Sequence, residues 1–98
     1  MKINFDSPIR DAAGRQITDG DIAATLAMIA AGSLFAALPT DHSIEPARKA
    51  EMGALGIKLF EGGEHDLKAE QIAMLKDRIG RAYAPLVVAR AFQLLDPS

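Results

Sequence analysis

The residues from Ile22 to Leu38, IAATLAMIAAGSLFAAL, carry no charge, so the rest of the chain must bury them or a bilayer must take them. Ala and Leu dominate the stretch, and both favour helix. Thr18 offers an N-cap with Asp21 three residues on, a variant of the capping box, and Asp19 and Asp21 stand where a helix dipole favours negative charge. Pro39 ends the run, because the residue before a proline is pushed out of the α region. Ile22, Leu26, Ile29 and Ser33 share one helical face, and Met28, Ala31, Phe35 and Leu38 cover another. A central helix over residues 19–38, buried on most sides, is the expectation. The run is only as long as the shortest membrane spans, contains Thr25, Gly32 and Ser33, and lacks a basic flank, which favours the core of a water-soluble protein over a span. It also starts too far from Met1 for a signal peptide.

Residues 1–17 read as a β-hairpin. Ile3 and Phe5 alternate with Lys2, Asn4 and Asp6, the period of a half-buried strand, and Pro8 suits an edge or a bend. Ile9-Arg10 and Gln16-Ile17 flank Asp11-Ala12-Ala13-Gly14-Arg15, whose leading acid and late glycine fit a type I turn followed by a left-handed residue. A two-stranded ribbon is marginal alone, so its faces and edges must be met by the helices or by another chain. Truncation before Ser7 is expected to leave a folded helical remainder.

After the Pro39–Ser43 loop, Asp41 or Ser43 can cap a helix over 44–60, with Pro46 in its first turn. Ala47, Met52, Leu55 and Leu59 would face the core there, and Arg48, Lys49, Glu51 and Lys58 would face water. Gly53 and Gly56 point to close helix approach, and Glu61-Gly62-Gly63-Glu64 to a flexible acidic break. Residues 69–95 form a kinked helical pair: Ile72, Leu75, Ile79 and Ala82 line one face, and Pro85 opens a short apolar helix. The fold class is α+β, mainly α: an N-terminal β-hairpin followed by a bundle of three or four helices, in a single domain over 1–98.

Net charge is −2, which argues against a general nucleic-acid binder, and with no cysteine there is neither a disulfide framework nor a thiolate zinc site. Acids dominate before Lys68, while Lys68, Lys76, Arg78, Arg81 and Arg90 make the tail mildly basic. A helix-turn-helix around Pro85 is disfavoured, because the second helix is too apolar to enter a groove. Asp41-His42-Ser43 holds the residue types of a hydrolytic triad, but triads are assembled across a fold, and a capping loop accounts for all three. Glu64-His65-Asp66 lacks a metal-ligand spacing, and Gly62-Gly63 lacks a phosphate-loop context. Neither a cofactor nor a metal is expected, and no catalytic residue is assigned; His42 and His65 are the residues an enzyme reading would use.

The run LKAEQIAMLKDRIGRAYAPLVVARAFQLLD, with the opening KINFDSPIRDAAGRQIT, resembles small proteins encoded by tailed phages and prophages. Tyr83, Pro85, Leu86, Val87 and Val88 carry the likeness, which spans about half the chain; Pro39 to Asp66 has no counterpart, and Lys68 stands where a Ser or Thr cap belongs. The layout is similar to tail-assembly chaperones, β-then-α proteins that bind tail components. It is also compatible with small acidic inhibitors of host defence such as anti-CRISPR proteins, which share no motif. The resemblance implies a non-enzymatic protein-binding module in the host cytoplasm. Its partner would be a phage tail component or a host complex. Separately, Leu86 to Leu95 and Ile22 to Leu38 are apolar beyond what one face needs, so a homo-oligomer, a dimer in the first instance, is expected. Ile3, Phe5, Tyr83, Leu86, Val87 and Phe92 are the expected partner-binding residues, through apolar burial of a helix or strand addition at the hairpin edge.

Overall fold

The computed structural model describes residues 1–96. The fold is α+β and mainly α: four helices with a small antiparallel β portion. The strands are β1 (Lys2–Asn4), β2 (Thr18–Asp19), β3 (Ile22–Ala23) and β4 (Glu64–Asp66). The helices are α1 (Leu26–Phe35), α2 (Pro46–Phe60), α3 (Ala69–Ala82) and α4 (Pro85–Leu95), with a 3-10 turn at Pro39–Ser43. No helix among the described residues is long and apolar enough to cross a membrane.

The central helix is shorter than residues 19–38, and the reason lies in its neighbours. Ile22 to Thr25 are drawn into β pairing: β3 pairs with β2, Pro8 bridges Thr25, and the Ile9 amide donates to Ala24 O at 3.0 Å. Gly20, at φ +65°, makes the turn between β2 and β3. The helix therefore starts at Leu26, capped by Thr25 rather than Thr18, with the Met28 amide 3.4 Å from Thr25 Oγ1. Two of its first amides, Leu26 and Ala27, donate to Ser7 O and Phe5 O, each at 2.9 Å, which satisfies groups a helix start otherwise leaves unpaired. Most of α1 is buried, as its composition demands, while Ile22 and Phe35 are exposed.

The N-terminal β region is present, but its first strand pairs elsewhere. The turn at residues 11–15 closes as a bridge between Arg10 and Gln16, with Gly14 at φ +86°. β1 instead pairs antiparallel with β4, placing Ile3 opposite His65. The stretch read as a flexible acidic break is thus a structured turn and a strand. Gly62 and Gly63, at φ +77° and +79°, reverse the chain out of α2, with the Gly62 amide on Leu59 O at 3.0 Å. Asp6 packs where a Gly62 side chain would stand. Strand addition at a free hairpin edge therefore loses its premise on one side of β1, which β4 already occupies.

α2, α3 and α4 keep close to their expected bounds. Proline opens α2 and α4 at the position where its missing amide costs nothing. At α3, Gln71 Oε1 accepts the Lys68 amide at 2.9 Å, the returning half of a capping box, while Lys68 supplies no side-chain cap of its own. One cluster of buried side chains joins Ile3 and Phe5 to all four helices, through Leu26, Leu34, Met52, Leu59, Leu75, Ile79, Ala91 and Leu95.

Candidate protein-binding surface

α2 presents two apolar faces. Met52 and Leu59 are buried in the core and Leu55 is half-buried. Gly53, Ile57 and Phe60 lie on the adjacent stripe at i, i+4 and i+7, and point outward. Ile57 is 64% exposed and Phe60 62%, and an added Cβ on Gly53 would meet no atom within 4 Å. Phe35, at the end of α1, is 52% exposed and lays its ring over Gly56, where there is no side chain to hold it off. Ala47, assigned to the core from sequence, is exposed.

A hollow of about 330 Å³ opens at this stripe, between Phe35, Ile44, Met52 and Gly53, with Lys49 at its rim. A second, of about 430 Å³, adjoins it and shares Asp41, Ile44, Met52 and Arg78; its walls carry Arg48 from α2, Arg81 from α3, and Thr40 and Ser43 from the 3-10 turn. Beyond Arg48 and Met74 the groove turns acidic, with Glu51 and Glu70.

The shared floor is built by Arg78. α3 carries it at i+3 from Leu75 and beside Ile79, on the apolar face, and only 4% of it is exposed. Its Nε donates to Ser33 O at 3.1 Å and one Nη to Ala36 O at 2.8 Å, taking up carbonyls at the open end of α1. Its other Nη pairs with Asp41. Asp41 Oδ2 also accepts the Leu38 amide at 2.9 Å, so it secures the 3-10 turn instead of capping α2. The Arg78 hydrogen bond, and then the Leu38 amide, hold the Asp41 carboxyl below the usual carboxylate range. Every hydrogen-bonding group of this pair is satisfied, which fixes the groove's shape.

The structure divides the residues assigned to partner binding. Ile3 and Phe5 are core residues, 3% and 0% exposed, and they cannot contact a partner while the fold is intact. The reason is the pairing of β1 with β4 and the use of Phe5 O by α1. Tyr83, Val87 and Phe92 are half-buried against the core, and Leu86 is exposed. Burial raises the Tyr83 pKa, and its hydroxyl lies where a Gly32 side chain would be. Lys76 sits 5.7 Å from the Phe92 ring centroid, covering that ring from within the chain.

The polar clusters are tied into the fold. His42 Nδ1 lies 3.0 Å from Pro39 O, and Ser43 Oγ donates to Thr40 O at 3.4 Å, while Asp41 is held by Arg78. His65 Nε2 lies 2.9 Å from Gly62 O, and the ring meets Phe5 edge-on at 5.6 Å. Among the described residues, no group of three or more His, Cys, Asp or Glu side chains could hold a metal ion.

Sequence reasoning missed both the outer stripe and Arg78. The signals were there: Ile57 and Phe60 fall off the Met52–Leu59 face, and Arg78 is a charge set inside the Leu75–Ile79 face. Against protein-family models, curated proteins and solved structures, the chain finds no match.

Proposed function

We propose that the chain is a non-enzymatic protein-binding module, and that the α1–α2 face takes the partner. The observation that carries this reading is the exposure of Phe35, Ile57 and Phe60, each more than half in water, where Phe35 lines an open hollow and Ile57 and Phe60 continue along α2 from Gly53 in its wall. Large apolar side chains grouped on a surface mark interaction sites, whereas single ones are ordinary. Rim cations next to an apolar centre complete the usual anatomy of such a site.

The biological setting we propose is a tailed phage or prophage acting in the host cytoplasm, on the strength of the C-terminal run around Tyr83-Ala84-Pro85-Leu86. Self-association uses the same surface: two copies that cover each other's Phe35, Ile57 and Phe60 remove all three from water. The test is affinity capture from phage-producing cells, with the wild-type chain and an Ile57→Glu/Phe60→Glu variant as baits. Capture of tail components by the wild type and not by the variant supports the assembly role. Capture of a host defence complex instead replaces it with inhibition by surface occlusion. Equal capture by both baits removes the α1–α2 face from consideration. Sedimentation of the same two proteins reads self-association: the wild type should gain mass with concentration and the variant should stay monomeric.

A further inference from the structure

We propose that the groove beside the apolar stripe binds an acidic peptide segment of the partner, anchored by one Leu-sized or Phe-sized side chain. The proposal rests on the protein-binding reading above and names the chemistry of what is bound.

Two hollows meet over the Arg78–Asp41 floor, and they differ in character. The one of about 330 Å³ is walled by apolar atoms of Phe35, Met52 and Gly53 and suits an aliphatic or aromatic side chain. The one of about 430 Å³ faces Arg48 and Arg81 across its width. Together their linings hold four cations, Arg48, Lys49, Arg78 and Arg81, against two acids, Asp41 and Asp77, in a chain whose net charge is −2. The cations outnumber the acids in these two linings, while Glu51, which holds Arg48, and Glu70 line the adjoining hollow, so an acidic segment is favoured over the two hollows and repelled from the third.

The cations differ in their commitment. Arg78 is spent on the floor. Arg48 spans to Met74 Sδ at 3.3 Å, a weak acceptor that a carboxylate outcompetes, and otherwise holds only the exposed Glu51. Arg81 keeps Asp77 through Nε and directs a terminal nitrogen to Thr40 Oγ1 at 3.5 Å, at the limit of a hydrogen bond. Lys49 makes no ion pair among the described residues. Lys49 thus lines the apolar socket and two guanidinium groups line the hollow that adjoins it, the pattern that reads an acidic residue next to an apolar anchor. A nucleic acid is the poorer fit, because the hollow's apolar part offers nothing to a phosphate backbone and the acids elsewhere repel it.

The test uses fluorescein-labelled pentapeptide pools, acetylated and amidated, with Leu or Phe at the centre flanked by Asp and Glu, or by Lys and Gln. Anisotropy with the full chain should show the acidic pool binding at least tenfold more tightly than the basic one. Arg48→Ala/Arg81→Ala should weaken it tenfold or more, and 0.5 M NaCl should do the same. Gly53→Leu, which fills the socket from open space, should abolish binding of the pool while circular dichroism stays that of the wild type. Equal binding of both pools, binding of neither at millimolar concentration, indifference to the arginine substitutions, or tighter binding of a single-stranded oligonucleotide each overturns the proposal. If the acidic pool fails while Ile57→Glu/Phe60→Glu still abolishes partner capture, the protein-binding reading stands and only the peptide chemistry falls.

Discussion

β1 and the outer face of α2 make opposite uses of apolar residues. β1 is three residues long and carries the pattern of an available edge strand, yet its apolar residue Ile3, and Phe5 just after it, are inside. α2 carries charges enough to be read as a solvated helix, yet a second apolar stripe stays uncovered beside its buried one. The difference is in what the backbone is doing. β1 is bonded to β4, and directly after it Phe5 O serves the first turn of α1 while the Phe5 amide donates to Gly63 O at 2.8 Å, so this segment is tied to elements on both sides. Among the described residues, the outer stripe of α2 satisfies no backbone group outside its own helix, and nothing lies over Gly53, whereas the Phe35 ring covers the buried Gly56 beside it. A short segment becomes integral when its main chain completes other elements, and a long helix can leave a face spare because its hydrogen bonds are already made.

The contrast predicts where substitution hurts. Phe5→Ala should cost about 3–5 kcal/mol, and deletion of the first six residues should abolish the fold, the reverse of what the sequence suggests. A denaturant series that finds the truncated chain helical and cooperative breaks the contrast. Arg78→Leu should cost about 3 kcal/mol, since it strands two carbonyls of α1 and the Asp41 carboxylate. Two glycines sharpen the comparison. Gly32→Ala must displace the Tyr83 hydroxyl and should lose about 1 kcal/mol net, a loss that Tyr83→Phe reverses. Gly53→Ala, in open space on the spare face, should gain up to about 1 kcal/mol of helix stability. The smallest effect is in pH. Asp41 has its pKa depressed in the folded state, so its contribution is present above the unfolded value and is lost as pH falls through the folded one. The melting temperatures of the wild type and Asp41→Asn should draw together as pH falls below about 4 and meet only below the depressed folded value.

Much of this was legible beforehand, for physical reasons. The four helices follow from apolar period, proline placement and the uncharged run that becomes α1. The start of α1 was not, because Ile22 to Thr25 are held by Pro8, Ile9 and Ile17, and long-range pairing overrides a local cap signal. β4 was hidden for the same reason: Glu64-His65-Asp66 has no strand composition and is a strand only because β1 lies beside it. Arg78 was legible as an anomaly in a helical face, but its acceptors are residues 33, 36 and 41, distant in sequence.

The most direct measurement is the pair of thermal melts and sedimentation profiles of the wild type and Ile57→Glu/Phe60→Glu. Both side chains stand in water, so the melting temperature should change by no more than about 3 °C, as expected for surface substitutions. The concentration-dependent mass of the wild type should disappear in the variant. A melting temperature lowered by 10 °C or more would show that the stripe belongs to the core. An unchanged melt with unchanged association would show that α2 is not where this chain meets its partner.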